Sequence, residues 1–258
     1  MAGSGRGRRE WGVTANRRAW LIALVQTLWL PTVFVAFWQV ASSREWVNPF
    51  FFPPPSKVLA TAVRMAAEGE LVSILAATLL RWAGGALAGI VLGLCCGILM
   101  GVSRAARRAL EPIVAGLYST PKLTLLPLLM LLLGLGDAPK VILIALVGLI
   151  FLSTQTLDAI RGVKQRYVEM AVNHGAGRLV LVRRIYLPAA LPQIFTGLRI
   201  ALSRSLVVAI SLELISSTNG LGALIWMSWE TLATERLYVG ILLAASLGIA
   251  MHRGLAAL

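Results

Sequence analysis

Four ionisable side chains fall within or beside the apolar segments of this sequence, namely Lys122, Arg199, Arg204 and Glu213. A charge at the centre of a membrane-spanning helix costs about 2.5–3.5 kcal/mol, so each group needs a polar cavity or a partner of opposite charge. Arg204 and Glu213 are nine positions apart and project to opposite sides of one helix, so each needs a partner elsewhere. Two interpretations remain open. The cations bind a small anion, or they form structural ion pairs and, at Arg199, extend to the membrane edge.

Other residues that could do chemistry are sparse. Cys95 and Cys96 are adjacent in one apolar run and point about 100° apart on a helix, so they predict packing rather than a disulfide framework. His174 and His252 are far apart in the sequence, without a Cys-rich or acidic cluster around either. We therefore expect no metal site and no catalytic residues. The sequence also lacks a Gly-Lys pair, so it cannot bind ATP through a P-loop, and no cofactor of its own is expected.

The composition is that of a polytopic, all-α membrane protein rather than a soluble domain. The 258 residues are 58% hydrophobic and only 14% charged, with a mean hydropathy of +0.80. A net charge of +13 in a soluble protein suggests nucleic acid, but here the charges cluster between apolar runs. We expect a lipid bilayer as the environment and no nucleic-acid partner.

We predict six membrane-spanning helices, because each span needs about 20 predominantly apolar residues. They cover approximately residues 20–40, 82–102, 110–134, 140–157, 190–214 and 237–254. This divides the chain into a basic segment at 1–19 and one membrane domain at 20–258. Arginine and lysine concentrate on one side of the spans, so the positive-inside rule predicts that both termini are cytoplasmic.

Glycine and proline indicate how these helices pack and bend. Glycines recur at every fourth position of the second span, at 85, 89, 93, 97 and 101, and such a stripe lets another helix backbone approach closely. We predict that this stripe is a packing seam and does not face lipid. Pro127 lies in the middle of the third span and predicts a kink there.

The longest loop on the predicted cytoplasmic side covers residues 161–187. Its apolar spacing predicts a short helix from about Gln165 to His174, a turn at Gly175 and a second helix from about Arg178. Gly175 suits the position after a helix that needs a positive φ. We expect Glu169 to be exposed, where it can accept hydrogen bonds from a partner, and Ala171 to be small enough for a narrow groove.

The residues of this loop resemble the EAA motif of ABC-importer membrane subunits, written E-A-A-x3-G-x9-I-x-L-P. The matching positions are Glu169, Ala171, Gly175, Ile185, Leu187 and Pro188. Met170 departs from the motif, which has alanine there, and we expect it to alter the fit to an ATPase without abolishing it.

The resemblance covers nearly the whole chain, from about Asn48 to about Arg253. The segments that carry it besides the motif are Phe51–Ser56, Tyr118–Lys122, Leu125–Pro127, Gly134–Gly136, Leu187–Pro192 and Gly197–Leu202. Together they are similar to the permease branch that serves nitrate, taurine, aliphatic sulfonates and bicarbonate. The chain departs from that branch in ending at Leu258, where members usually carry a longer basic tail.

The resemblance implies the membrane subunit of a type I ABC importer, with the MetI-like permease fold, in a bacterial inner membrane. Two copies, usually identical, enclose a pathway for a small, anionic, sulfonate-, taurine- or nitrate-like solute, and a periplasmic substrate-binding protein delivers it. A dimer of separate ATPase subunits binds ATP and grips the loops through the motif residues. Closure of the ATPases then drives alternating access. Lys122, Arg199, Arg204 and Glu213 are the candidates for the pathway.

Two other classes of protein compete with this interpretation. An integral membrane enzyme needs a cluster of His, Asp or Glu at membrane depth, and the sequence shows none. A channel or scaffold that works without an ATPase leaves the motif loop unexplained. Co-purification with a P-loop ATPase separates the three classes.

Overall fold

The structure is a computed structural model, which describes residues 29–256. Every regular element in that range is helical, and this confirms the predicted all-α class. The basic segment 1–19 and the beginning of the first predicted span lie outside the described residues. The chain divides into two compact units, the first ending at Ala62 and the second beginning at Val63.

In the first unit, helix α1 (29–43) is tied to the beginning of α2 (Pro55–Ala67) by side-chain hydrogen bonds. The amide of Gln39 donates from Nε2 to Ser56 Oγ at 3.1 Å and accepts from the Ser56 backbone N–H at 3.0 Å. Ser42 Oγ donates to the carbonyl of Phe52 at 2.6 Å. These bonds tie the proline-rich segment before α2 to α1.

The second unit is arranged around α6, which packs along both α3 and α9. Thirteen of the 24 residues of α6 are buried, which makes it the central helix of this unit. The elements in chain order are α3 (Glu70–Val102), α4 (Arg104–Ser119), a 3₁₀ turn (Lys122–Leu125), α5 (Leu126–Leu133), α6 (Ala138–Arg161), α7 (Gln165–Asn173), α8 (Arg178–Leu181), a π segment (Val182–Tyr186), α9 (Leu187–Ser216), α10 (Leu221–Glu230) and α11 (Thr234–Ala256).

Three helices of the described chain, α3, α6 and α11, are long and apolar enough to cross a membrane. They contain the predicted spans 82–102, 140–157 and 237–254. The predicted span 190–214 lies within α9, a helix of 30 residues whose apolar sequence is interrupted by three charges. Residues 29–40 of the span predicted at 20–40 are described, and they fall in α1.

The third predicted span, 110–134, is not one straight helix. The chain breaks after Ser119, and α4 meets the helical segment Lys122–Leu133 at an angle of 97°, so the two form a fourth span only if counted together. Thr120 and Pro121 are extended there, because proline lacks an N–H and disfavours helix in the residue before it. The kink predicted at Pro127 is wrong. Pro127 lies in the first turn of α5, where a missing N–H costs little.

The glycine stripe of α3 packs against α6 along its whole length, as predicted. A Cβ at Gly89 would lie 2.4 Å from the carbonyl oxygen of Ala145, and one at Gly93 would lie 2.8 Å from that of Leu149. On the opposite side, a Cβ at Gly148 would lie 3.3 Å from the Cα of Gly89. The two backbones are therefore in direct contact, and this seam has no room for a side chain.

A methyl group placed in the seam should destabilise the protein. We expect Gly89→Ala to cost about 1–3 kcal/mol, because the obstructing atom is a backbone carbonyl that cannot move aside. Gly84→Ala is the matched control on the same helix, since its Cβ would meet nothing within 4 Å. The control should be neutral, or stabilising by up to about 1 kcal/mol, because alanine favours helix. Thermal unfolding in detergent measures both, and equal stability of the two variants would contradict the seam.

Candidate functional site

The loop between α6 and α9 folds as a helix, a tight turn and a second helix, within one residue of the predicted bounds. Helix α7 ends at Asn173, and Gly175 follows with a φ of +78°. The N–H of Gly175 donates to the carbonyl of Val172 at 2.9 Å, and that of Ala176 donates to the carbonyl of Ala171 at 3.0 Å. This pair of bonds is a Schellman motif, which satisfies the last carbonyls of α7 and reverses the chain.

Motif residues from both ends of this loop line one groove of about 440 Å³. Ala171 comes from α7, Ile185 from the π segment and Pro188 from the first turn of α9. Met170 and Tyr167 also line the groove, and Met170 is 60% exposed. We call this the motif groove; its remaining lining residues are His174, Arg184 and Ala189. An exposed apolar groove of this kind suits the side chain of another protein.

The other motif residues support the groove without lining it. Glu169 is exposed on α7, as predicted, and Gly175 forms the turn. Leu187 is half-buried at the first position of α9. The π segment before it joins α8 directly to α9, so the loop and the long helix form one connected helical path.

Glu213 of α9 lies in a closed hydrogen-bonded network, with only 1% of its surface exposed. Its carboxylate accepts from Thr78 Oγ1 at 2.8 Å, from Arg81 Nη1 at 2.7 Å and from the backbone N–H of Gly222 at 3.2 Å. Thr78 Oγ1 in turn accepts from the N–H of Leu221 at 2.8 Å. The buried charge is thus neutralised by an arginine of α3 and stabilised by the N-terminus of α10.

Arg81 connects this network to the beginning of α6. Its side chain is 12% exposed; Nη1 also donates to the carbonyl of Asn219 at 2.8 Å, and Nε to Asp137 at 2.7 Å. Lys140 donates to the same carboxylate oxygen at 3.2 Å. Burial raises the pKa of Asp137, but the hydrogen bonds from Arg81 and Lys140 outweigh it and hold that pKa below its usual range. Asp137 is therefore ionised at neutral pH. Its stabilising contribution is fully present above the ordinary pKa of an aspartate, and it is lost as the pH falls from there through the lowered pKa.

The three candidate cations have no carboxylate partner in the part of the chain that the structure describes. Lys122 donates to the carbonyl of Tyr118 at 2.7 Å. Arg204 is exposed near the middle of α9, with its guanidinium carbon 6.0 Å from the centre of the Phe151 ring. Arg199 is half-buried, and its Nε finds no hydrogen-bond partner among the described residues.

Comparison with known proteins identifies the family. Residues 89–258 match the family model described as "Binding-protein-dependent transport system inner membrane component". The chain belongs to this family. It is therefore a permease, that is, a transport component of the inner membrane without a catalytic site of its own.

Relatives of this permease are named for sulfonates. It is 32% identical to the taurine transport system permease protein TauC of Escherichia coli, over 93% of this chain and 90% of that protein. It is 36% identical to the putative aliphatic sulfonates transport permease protein SsuC of E. coli, over 90% of this chain and 88% of that one. These matches confirm the resemblance to the taurine and sulfonate branch.

The fold of the permease matches a solved structure. A chain of the MetNI methionine ABC transporter, in an inward-facing conformation, aligns with a TM-score of 0.56 and 22% sequence identity. The alignment covers 70% of this chain and 92% of that chain. This confirms the predicted MetI-like permease fold.

The permease sequence points to Glu213 but not to its partner. Glu213 was predicted to need a partner elsewhere, and Arg81 supplies it across 132 positions of the chain. The signal that could have found this pair is that Arg81 is a cation inside the apolar sequence that becomes α3. Thr78 carries no such signal, because a threonine in an apolar helix usually bonds to its own backbone.

Of the two glycines in the motif loop, Gly175 and Gly177, only Gly175 should be required for the turn. We expect Gly175→Ala to cost about 1–2 kcal/mol, because a residue with a Cβ is strained at a φ of +78°. Gly177→Ala is the matched control, since its φ is −71° and its Cβ would meet nothing within 4 Å. Hydrogen exchange of the α7 amides should become faster in the first variant and stay unchanged in the second. Equal exchange in both would exclude the Schellman turn.

Loss of the buried carboxylate should destabilise the permease strongly. We expect Glu213→Ala to cost about 3–5 kcal/mol, because Arg81 then keeps a buried charge without its main partner. Glu230→Ala is the control, since Glu230 is exposed at the end of α10 and makes no ion pair with the described residues. Thermal unfolding of both variants in detergent measures the difference. A Glu213→Ala protein as stable as the Glu230→Ala protein would show that the network is not structural.

Proposed function

We propose that this permease is the membrane-spanning subunit of an ABC importer, which moves a small, anionic, sulfonate-like solute inward by alternating access. A separate ATPase drives it. The observation that carries the proposal is the motif groove, because it gathers an EAA-like motif onto an exposed surface that a partner protein can occupy.

The partner of the groove in this proposal is a dimer of ABC ATPase subunits. Its apolar lining, with Met170 and Tyr167 exposed, favours an apolar side chain of the ATPase at the centre of the contact. Glu169 is exposed beside it and accepts hydrogen bonds from the partner. ATP is bound by the ATPase subunits, in agreement with a sequence that has no P-loop lysine.

The direct path from the loop to α9 supports a mechanical role. Helix α8 and the π segment continue into α9 without a flexible linker, so movement of the loop is transmitted to the helix that carries Arg199 and Arg204. In this proposal, closure of the ATPases moves two such loops together. The accompanying movement of α9 opens the pathway to the outside, and release of the loops returns it to the inward-facing state.

The remaining partners follow from the family. Because the family is described as binding-protein-dependent, we propose that a periplasmic substrate-binding protein delivers the solute. We propose a second copy of this chain as the other half of the pathway. The distribution of arginine and lysine favours cytoplasmic termini, with the motif loop on the same side as the ATPase.

The solute class is supported by the relatives and by the unpaired cations. TauC and SsuC are named for taurine and aliphatic sulfonates, which carry the same acidic group. We keep Lys122, Arg199 and Arg204 as pathway candidates. For Glu213 we propose a structural role instead, because its carboxylate is buried and fully hydrogen-bonded.

The docking proposal is tested by placing a charge inside the groove. Ala171→Asp should abolish co-purification of the ATPase and lower ATP-driven sulfonate uptake by about tenfold or more, because an unpaired carboxylate would be buried in an apolar contact. Val172→Asp is the matched control, since Val172 is the next residue of α7, is exposed and does not line the groove. It should retain both properties.

The same experiment has a clear opposing outcome. If the Ala171→Asp protein inserts in the membrane, binds the ATPase and transports as well as the Val172→Asp protein, the groove is not the docking surface. If the parent protein itself binds no ATPase, the importer proposal is wrong.

A further inference from the structure

Two cations and two aromatic rings form a continuous cluster between α4, α6 and α9. The Lys122 ammonium lies 5.6 Å from the centre of the Tyr118 ring. The rings of Tyr118 and Phe151 meet edge to face, with centres 5.5 Å apart, and Arg204 lies over the other ring at 6.0 Å. We call these four residues the cation–ring cluster. Tyr118 and Phe151 were not among the sequence candidates.

The cluster carries two positive charges that the described chain does not neutralise. The one acidic residue of α9, Glu213, already bonds to Arg81, Thr78 and Gly222. The one acidic residue of α6, Asp158, is exposed in the last turn of that helix and makes no ion pair with the described residues. A cation near the middle of a membrane helix faces a cavity or an anion, because contact with lipid is costly.

The donors of the cluster are largely unused. Lys122 donates one of its three N–H groups to the carbonyl of Tyr118, which leaves two available. Arg204 makes no hydrogen bond with the described residues, so its five N–H groups are available, and a guanidinium presents them in a fork that fits two oxygens of one acid group. The neighbouring rings of Tyr118 and Phe151 offer apolar surface against which the carbon chain of such an acid can lie.

We propose that the cation–ring cluster is an intramembrane binding site for an alkanesulfonate or aminoalkanesulfonate. Arg204 holds the sulfonate oxygens, and the short carbon chain lies against Phe151 and Tyr118. Lys122 is the second cation, toward which the anion moves when it leaves Arg204. This site rests on the proposed function as an importer of such anions, and it assigns the solute to named residues of the permease.

The test is uptake of ethanesulfonate and taurine by liposomes that contain the complete transporter, with the binding protein at saturating concentration. Arg204→Gln should lower the rate of uptake about tenfold or more, because the main contact to the anion is lost. Arg204→Lys keeps the charge and should retain part of the rate. Arg108→Gln is the control for loss of a positive charge, since Arg108 is exposed in the first turns of α4, and it should transport at the parental rate.

A chemical rescue separates a role in binding from a role in structure. In a chain with Cys95→Ala and Cys96→Ala, the Arg204→Cys variant should transport poorly. Modification with a thiol reagent that carries a trimethylammonium group should restore uptake, and a reagent of similar size that carries a sulfonate should not. Ethanesulfonate should slow both modifications by occupying the site.

Three outcomes would overturn the site. One is parental uptake by the Arg204→Gln transporter. Another is loss of uptake that follows loss of subunit assembly and is not restored by lysine or by the cationic reagent, because Arg204 then pairs with a carboxylate of a second subunit. The third is a parent transporter that hydrolyses ATP with its binding protein but takes up neither sulfonate. That result would overturn the proposed solute class as well, and so differs from a failure of this site alone.

Discussion

The ion pair between Arg81 and Glu213 is the point at which several helices of the second unit are held together. A carboxylate with 1% exposure in an apolar bundle is tolerated only when its charge and its lone pairs are satisfied. That requirement brings α3, α9 and α10 to one point and, through Asp137, the beginning of α6 as well. It also explains the local glycines. A Cβ at Gly220 would lie 2.5 Å from the carboxyl group of Glu213, and one at Gly222 would lie 2.3 Å from the carbonyl oxygen of Ile210.

Two charged residues of α9, Glu213 and Arg204, have opposite environments. Near the C-terminal end, Glu213 accepts from three donors and is closed to solvent. Near the middle, Arg204 is exposed, lies over the Phe151 ring and makes no ion pair with the described residues. A buried, fully hydrogen-bonded ion pair holds its helices in place, whereas a cation without a partner can bind an anion reversibly. The helix therefore has a fixed C-terminal end and, near its middle, an unpaired cation that the proposed sulfonate site uses.

Local features of this chain are predictable from the sequence, and distant pairings are not. The helix predicted from Gln165 to His174 runs from Gln165 to Asn173, and the turn falls at Gly175, because capping depends on neighbouring residues. The glycine stripe is predictable for a similar reason, since its spacing matches the helix repeat. The partner of Glu213 depends on how separate helices meet, and no short pattern encodes that. The kink predicted at Pro127 is absent because proline is compatible with the start of a helix as well as with a kink. The helix break lies at Pro121 instead.

The π segment Val182–Tyr186 sets a constraint on length that the motif alone does not reveal. A π turn accommodates one residue more than an α turn, so α8 and α9 are out of phase by the angle of one residue, about 100°. Deleting one residue from this segment would let an uninterrupted α-helix form and would turn α7 to another side of α9. A chimera that exchanges loops between related permeases must therefore keep the residue count across 182–186. A loop with the same motif residues but one residue fewer in this segment would turn Glu169 and Ala171 toward another side of α9.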